Sequence, residues 1–440
     1  MSAPEHSKIA YINARLIDPA SGFDETGALL TDGNLIADFG PRLAADNLPQ
    51  EALTIDCKGM CLAPGLVDMR AQLGEPGFEH KETISSGSQS AAAGGITSLA
   101  CLPNTNPPID SVALVGFIER RGREAGMVNI YPYASITQGI RGDEITEMGL
   151  LSASGAIAFT DGLQAVGNPK VMSRALSYAK SFDLLLVQHP EDPVLAEGGV
   201  MNSGEISSRL GLGGISNVAE VILLERDIRL LETTGGRYHA AHISTALSVE
   251  VIRRAKERGL DITCDTAPFY FALNELAVGD YRTFARLSPP LRSEADREAI
   301  VEGLKDGTID AIASDHAPHD EDSKRQPFAQ AEAGAVGFET LLAVSLELYH
   351  NKTMSLPDLL KALTASPAEI LGLRAGHLKA GAPADIILFE PDAPWQVKAD
   401  DFISKSKNSP FDDRPVQGRV ARTVVGGVPV YVAPDLDKKG

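Results

Sequence analysis

Between residues 59 and 351, short apolar runs rich in β-branched side chains alternate with longer stretches of helical periodicity. That alternation is the pattern of a parallel sheet wrapped in helices. Eight runs carry it, at residues 62–69, 96–102, 128–133, 156–159, 184–188, 238–242, 261–265 and 311–315, with helical segments such as 215–233 and 248–258 between them. Eight β/α units over about 290 residues match a (β/α)8 TIM barrel, an α/β fold. The flanks differ. Residues 9–17 and 28–39, with Asp32-Gly33 as a turn, and then 385–390 and 419–432 read as short strands broken by turn residues. The two chain ends are therefore expected to build one small β-sandwich domain, residues 1–58 and 376–440, around a barrel spanning 59–375.

Composition narrows the setting more than the fold. Forty basic against fifty-nine acidic residues leave a net charge of −19, which argues against a nucleic-acid or anionic-membrane surface. No apolar run approaches the roughly 20 residues of a membrane span. The first seven residues lack the basic-then-apolar order of a signal peptide. Cys57, Cys61, Cys101 and Cys264 make neither a CxxC pair nor a disulfide framework. A cytoplasmic protein is expected, with a charged tail, 434–440, that frays.

A barrel of this kind carries its chemistry at the C-terminal ends of its strands. The fourth run ends in Thr160-Asp161, the fifth in Gln188-His189, the sixth in Ala241-His242 and the eighth in Ser314-Asp315-His316. One carboxylate and two imidazoles, from Asp161, His189 and His242, form a workable ligand set for a divalent cation such as zinc, with a coordination position left open. Taken singly, each histidine is more often a hydrogen-bonded structural residue, and His80 and His239 are read that way. Gly94-Gly95 reads as a helix stop with close packing, because no G-x-x-x-x-G-K pattern follows to cradle a phosphate. Residues 317–333, charged and aperiodic, read as a long loop over the barrel mouth.

Ordered motifs then run the length of the chain. They include Ala63-Pro64-Gly65-Leu66-Val67-Asp68-Met69, Glu75-Pro76-Gly77-Phe78-Glu79-His80-Lys81-Glu82, Pro103-Asn104-Thr105-Asn106-Pro107 and His189-Pro190-Glu191-Asp192. His242-Ile243-Ser244-Thr245, Pro289-Pro290-Leu291-Arg292, Ser314-Asp315-His316-Ala317-Pro318-His319 and Lys407-Asn408-Ser409-Pro410-Phe411 follow in order. The series resembles the bacterial dihydroorotases of the amidohydrolase superfamily. That resemblance implies an amidohydrolase-type barrel that reversibly closes N-carbamoyl-L-aspartate to dihydroorotate with one or two divalent metals, usually zinc. It implies that Asp315 passes a proton between the attacking water and the leaving nitrogen, with Asn104 and His319 on the substrate. It also implies a homo-oligomer and, for degenerate members, an association with aspartate transcarbamoylase.

One departure is sharp. The family sets His-x-His directly after the Asp-Met of the first strand, a spacing that points both rings to one face. Here the order is Asp68-Met69-Arg70-Ala71-Gln72, and none of the nine histidines falls between Cys61 and Glu79. A guanidinium offers a metal no lone pair and repels it. Arg70 is expected instead to neutralise Asp315 or Asp161, since an unpaired buried charge is costly. Where the family grips the substrate carboxylate with arginine, this chain has Gly74, and its Pro-His-His after the seventh strand becomes Pro268-Phe269-Tyr270. A hydantoinase-type centre needs a carboxylated lysine, and Phe159-Thr160-Asp161 offers none. The sequence thus reads as a catalytically impaired dihydroorotase-like protein of pyrimidine biosynthesis, a structural partner of aspartate transcarbamoylase. The alternative is an active cyclic amide hydrolase with zinc rebuilt on Asp161, His189 and His242 and with Asp315 as general base.

Overall fold

The computed structural model describes residues 8–43 and 48–434, so the expectations for the first seven residues and for nearly all of the tail lie outside it. Strands β1 (Lys8–Asp18), β2 (Phe23–Asp32), β3 (Leu35–Gly40), β4 (Leu53–Asp56) and β5 (Cys61–Pro64) come first. The turn from β2 to β3 is the expected Asp32-Gly33, with Gly33 at φ +58, a conformation that glycine adopts without strain. The barrel strands follow: β6 (Leu66–Ala71), β7 (Ile96–Cys101), β8 (Asn129–Ala134), β9 (Ala158–Phe159) and β10 (Leu185–Gln188). After a small ribbon of β11 (Met201–Asn202) and β12 (Gly214–Ile215) come β13 (Arg237–Ala240), β14 (Ile262–Thr266) and β15 (Ala311–Ile312). The chain ends with β16 (Ile386–Gln396), β17 (Pro415–Val425) and β18 (Val428–Val432).

All eight barrel strands run parallel in sequence order, from β6 at one edge to β15 at the other. The edges meet through a parallel bridge between Ala71 and His316 and a 2.9 Å bond from the Gln72 amide to the His316 carbonyl. Inside the barrel Met69, Ala100, Tyr133, Ala158, Val187, Ala241 and Ala313 form a packed apolar cluster, so the barrel is filled rather than hollow. The helices pack outside. Asn217–Thr234 starts from a Ser216 cap that accepts from the Val218 amide, and Ile84–Ala93 from Thr83; each cap satisfies an otherwise orphaned N–H. A Cβ on Gly94 would press against the Phe338 carbonyl, which is the close packing expected of that helix stop. Among the described residues no helix is long and apolar enough to cross a membrane.

The β-sandwich domain from the chain ends orders its strands β18-β17-β16-β5-β1-β2-β3, with β4 on β1. Its own core includes Ile9, Tyr11, Leu16, Leu29, Ile36, Leu62, Ile386 and Leu388. Two of the sequence runs are divided between strands. The single run at 62–69 is two strands, of which β5 belongs to the small sheet, pairing with β1 and β16. Gly65 parts them where the backbone passes the Thr97 side chain with no room for a Cβ. β5 thus completes the small sheet and β6 opens the barrel sheet. The run at 419–432 is likewise split, into β17 and β18, by Gly426 and Gly427 at φ +54 and +74.

Candidate active site at the barrel mouth

Arg70 sits on β6, its side chain only 2% exposed, and its Nε donates to Asp315 Oδ1 at 2.9 Å. This is the pairing expected from the sequence, made with Asp315 rather than Asp161. Asp315 follows β15 at φ +48, and His242 follows β13 at φ +34. Both lie in the left-handed region that costs a non-glycine residue about 1–3 kcal/mol and is common at functional sites. Burial pushes the Asp315 carboxyl up, against the opposing pull of the Arg70 charge. Burial, and then Arg70, hold His242 well below the usual imidazole range.

His189 and His242 face one another, Nδ1 of the first 2.7 Å from Nε2 of the second. The other nitrogen of His242, Nδ1, is buried without a hydrogen-bond partner and lies 4.0 Å from Asp315 Oδ1. Asp161 is engaged elsewhere. The Thr137 amide donates to its Oδ1 at 2.9 Å and the Thr137 hydroxyl to its Oδ2 at 2.5 Å, while burial raises its carboxyl to about 6. Asn104 is spent on the same turn, donating to the Asp161 carbonyl at 3.1 Å and accepting from the Leu163 amide at 3.3 Å.

These positions test the zinc set. Two imidazole nitrogens on one tetrahedral zinc, each about 2.0–2.1 Å from it, stand about 3.3 Å apart. Here they are 2.7 Å apart, at hydrogen-bond distance. No contact joins Asp161 to either ring, and among the described residues no three His, Cys, Asp or Glu side chains converge to hold a metal ion. A fixed cation, Arg70, adjoins the place where a second cation would have to sit. As arranged, the residues do not fit zinc.

Replaced positions have structural occupations. The Gln72 backbone closes the barrel. Gly74, at φ +66, turns so tightly that a Cβ would stand 2.6 Å from the Glu82 carbonyl oxygen, so this loop has no place for an arginine. Phe269 stacks on Phe411 with ring centroids 5.5 Å apart, and the Tyr270 hydroxyl donates to the Pro289 carbonyl at 3.0 Å. His319 sits in the loop after β15, its Nε2 2.9 Å from the Ala333 carbonyl and its Nδ1 3.3 Å from Lys81 Nζ. Burial, then Lys81 and Lys324, lower it to about 3.

Several site residues escaped the sequence reading. Asp68 accepts from the Ser314 amide at 2.9 Å and from its hydroxyl at 2.5 Å, lacing the first strand to the eighth, and burial lifts its carboxyl to about 7. A strap from the C-terminal part of the chain covers the mouth. Glu82 accepts from the Ser404 hydroxyl at 2.5 Å, and Glu339 from the Ile403 and Ser404 amides at 3.0 Å each. Asn408 then accepts from the His319 amide and donates to the Ala317 and Gly334 carbonyls, all at 3.1 Å. The only signals for the strap in the sequence were Glu82 and Asn408 within the two motifs quoted above.

The Dihydro-orotase-like family matches residues 59–248, and the Amidohydrolase family matches residues 228–431. Dihydroorotase of Wolbachia sp. subsp. Drosophila simulans (strain wRi) is 47% identical over 428 residues, 97% of this chain and 96% of that protein. The chain belongs to the dihydroorotase family. Dihydroorotase of Geobacter metallireducens is 46% identical over 417 residues, covering 95% of this chain and 98% of its own. The fold of this dihydroorotase-family chain is shared with L-hydantoinase (dihydropyrimidinase) from Arthrobacter aurescens, at a TM-score of 0.84 and 24% identity, covering 97% of each chain. That likeness speaks for the barrel with its β-sandwich domain.

Proposed function

We propose that the chain is a dihydroorotase of de novo pyrimidine biosynthesis, interconverting N-carbamoyl-L-aspartate and dihydroorotate. The 47% identity to a dihydroorotase over 97% of the chain carries this reading. In it, Asp315 is the base that moves the proton between water and the leaving nitrogen, while His319 stands by the substrate and Asn104 holds the turn that carries Asp161. The test is turnover of dihydroorotate by the purified chain, with zinc supplied and with zinc chelated, against an empty-vector preparation. Turnover that Asp315→Ala abolishes is expected; no rate above the control overturns the reading.

A second reading is favoured by one observation, the Arg70–Asp315 pair, which ties up the base and puts a cation where the family's histidines would stand. In that reading the chain is catalytically impaired and serves, as a homo-oligomer, as a structural partner of aspartate transcarbamoylase. Co-purification of the two proteins from the native cell, with no dihydroorotate turnover by either the isolated chain or the complex, is its expected outcome.

A further inference from the structure

We propose that Arg70 is the resident cation of this barrel mouth, taking the electrostatic place of a divalent ion, and that the folded chain binds no zinc there. The Asp315 carboxylate is buried and needs a positive partner; the Arg70 Nε supplies it at 2.9 Å. The two histidines that survive close on each other, with 2.7 Å between ring nitrogens, and so satisfy one another instead of aiming two lone pairs at an ion. Asp161, the remaining member of the ligand set, has both carboxylate oxygens taken by Thr137. Three independent adjustments on separate strand ends each remove a reason for the ion to bind. A guanidinium does not give up its proton in a protein, so a metal cannot displace the charge by titrating it.

The arrangement also leaves two buried polar atoms without protein partners. Arg70 Nη1 is a buried donor without a protein partner, and His242 Nδ1 is a buried ring nitrogen without one; a buried donor of this kind is ordinarily met by water or by a ligand oxygen. The ligand class that suits Arg70 is an oxygen acceptor, a carbonyl or carboxylate, held by a protein donor where the family would present a metal. This inference holds under either functional reading, because it concerns ion content and not turnover.

The test is metal analysis of the full-length chain purified with zinc in every buffer and then dialysed, beside the double substitution Arg70→His with Gln72→His. The wild type is expected to retain less than about 0.1 zinc per chain, with a thermal midpoint unmoved by zinc or by chelator. The double variant is expected to retain close to one zinc per chain and to gain thermal stability from it, since an ion that binds only the native state stabilises it. One zinc per wild-type chain, lost in His242→Ala, overturns the proposal. A folded double variant that still takes up no zinc overturns the role given to Arg70. If the double variant does not fold, the wild-type ion content and midpoint decide alone. Turnover by a zinc-free wild type would uphold the proposed activity and this inference together, whereas zinc-dependent turnover would uphold the activity and end the inference.

Discussion

Arg70 and Asp315 are a buried pair whose worth lies in the cost of breaking it. Removing one partner of such a pair leaves a charge without compensation and costs about 3–5 kcal/mol. Arg70→Met is expected to lose that amount of unfolding free energy in denaturant titration. The double variant Arg70→Met with Asp315→Asn is expected to recover much of it, since neither charge then remains. Additive losses would show that the pair at 2.9 Å is not coupled. This pairing was legible in the sequence for the same electrostatic reason: a cation that cannot ligate, set among carboxylates at the strand ends, is held by pairing with one of them. The hold of Thr137 on Asp161 was not legible, because the two are 24 residues apart in sequence and belong to different strand-end loops. Nothing in the sequence around Gly74 showed that its loop folds back on the Glu82 carbonyl; only the closed turn explains why no long side chain stands there.

At the scale of elements, the parallel strands were readable because each is a short apolar run between helical stretches, and their ends were not. Apolar character continues past the last ladder bond. The run at 238–242 ends as a strand at Ala240, and the run at 311–315 at Ile312, so His242 and Asp315 stand beyond the strand ends on positive-φ backbone, which is what lets them reach the mouth. The loop at 317–333 holds a short helix, Glu321–Lys324, and is pinned by that helix's last residue. Lys324 is buried, its Nζ donating to the carbonyls of Glu332 at 2.6 Å and Thr283 at 3.1 Å. Burial, and next the Arg286 charge, lower its ammonium from 10.5 to about 7. The unfolded chain then binds the extra proton between about pH 7 and 10.5, so this group makes stability rise with pH across that window and adds no slope below it. Unfolding free energies of the wild type and of Lys324→Met are expected to diverge in favour of the wild type from pH 7 to pH 10. Parallel curves would place Lys324 in water instead.

The whole molecule is expected to unfold as one unit. The strap at 402–411 ties the small domain's part of the chain to Glu82, Glu339 and the loop after β15, and contacts of this number leave little for the two bodies to do separately. Calorimetry should show a single transition, and Asn408→Ala, which strands two carbonyls and an amide, should lower that one midpoint without splitting it. Two resolved transitions would mean that the strap is only a surface attachment. Beyond stability, the passage from β5 to β6 across Gly65 has a consequence for how such a protein is inherited. A single residue separates the end of one sheet from the start of the other, so a cut at this crossing has no loop to fall in. Recombination that exchanged barrels for sandwiches would have to fall on that one residue at this crossing, and a circular permutant is better opened elsewhere. The architecture passes on whole, whatever its mouth is asked to do.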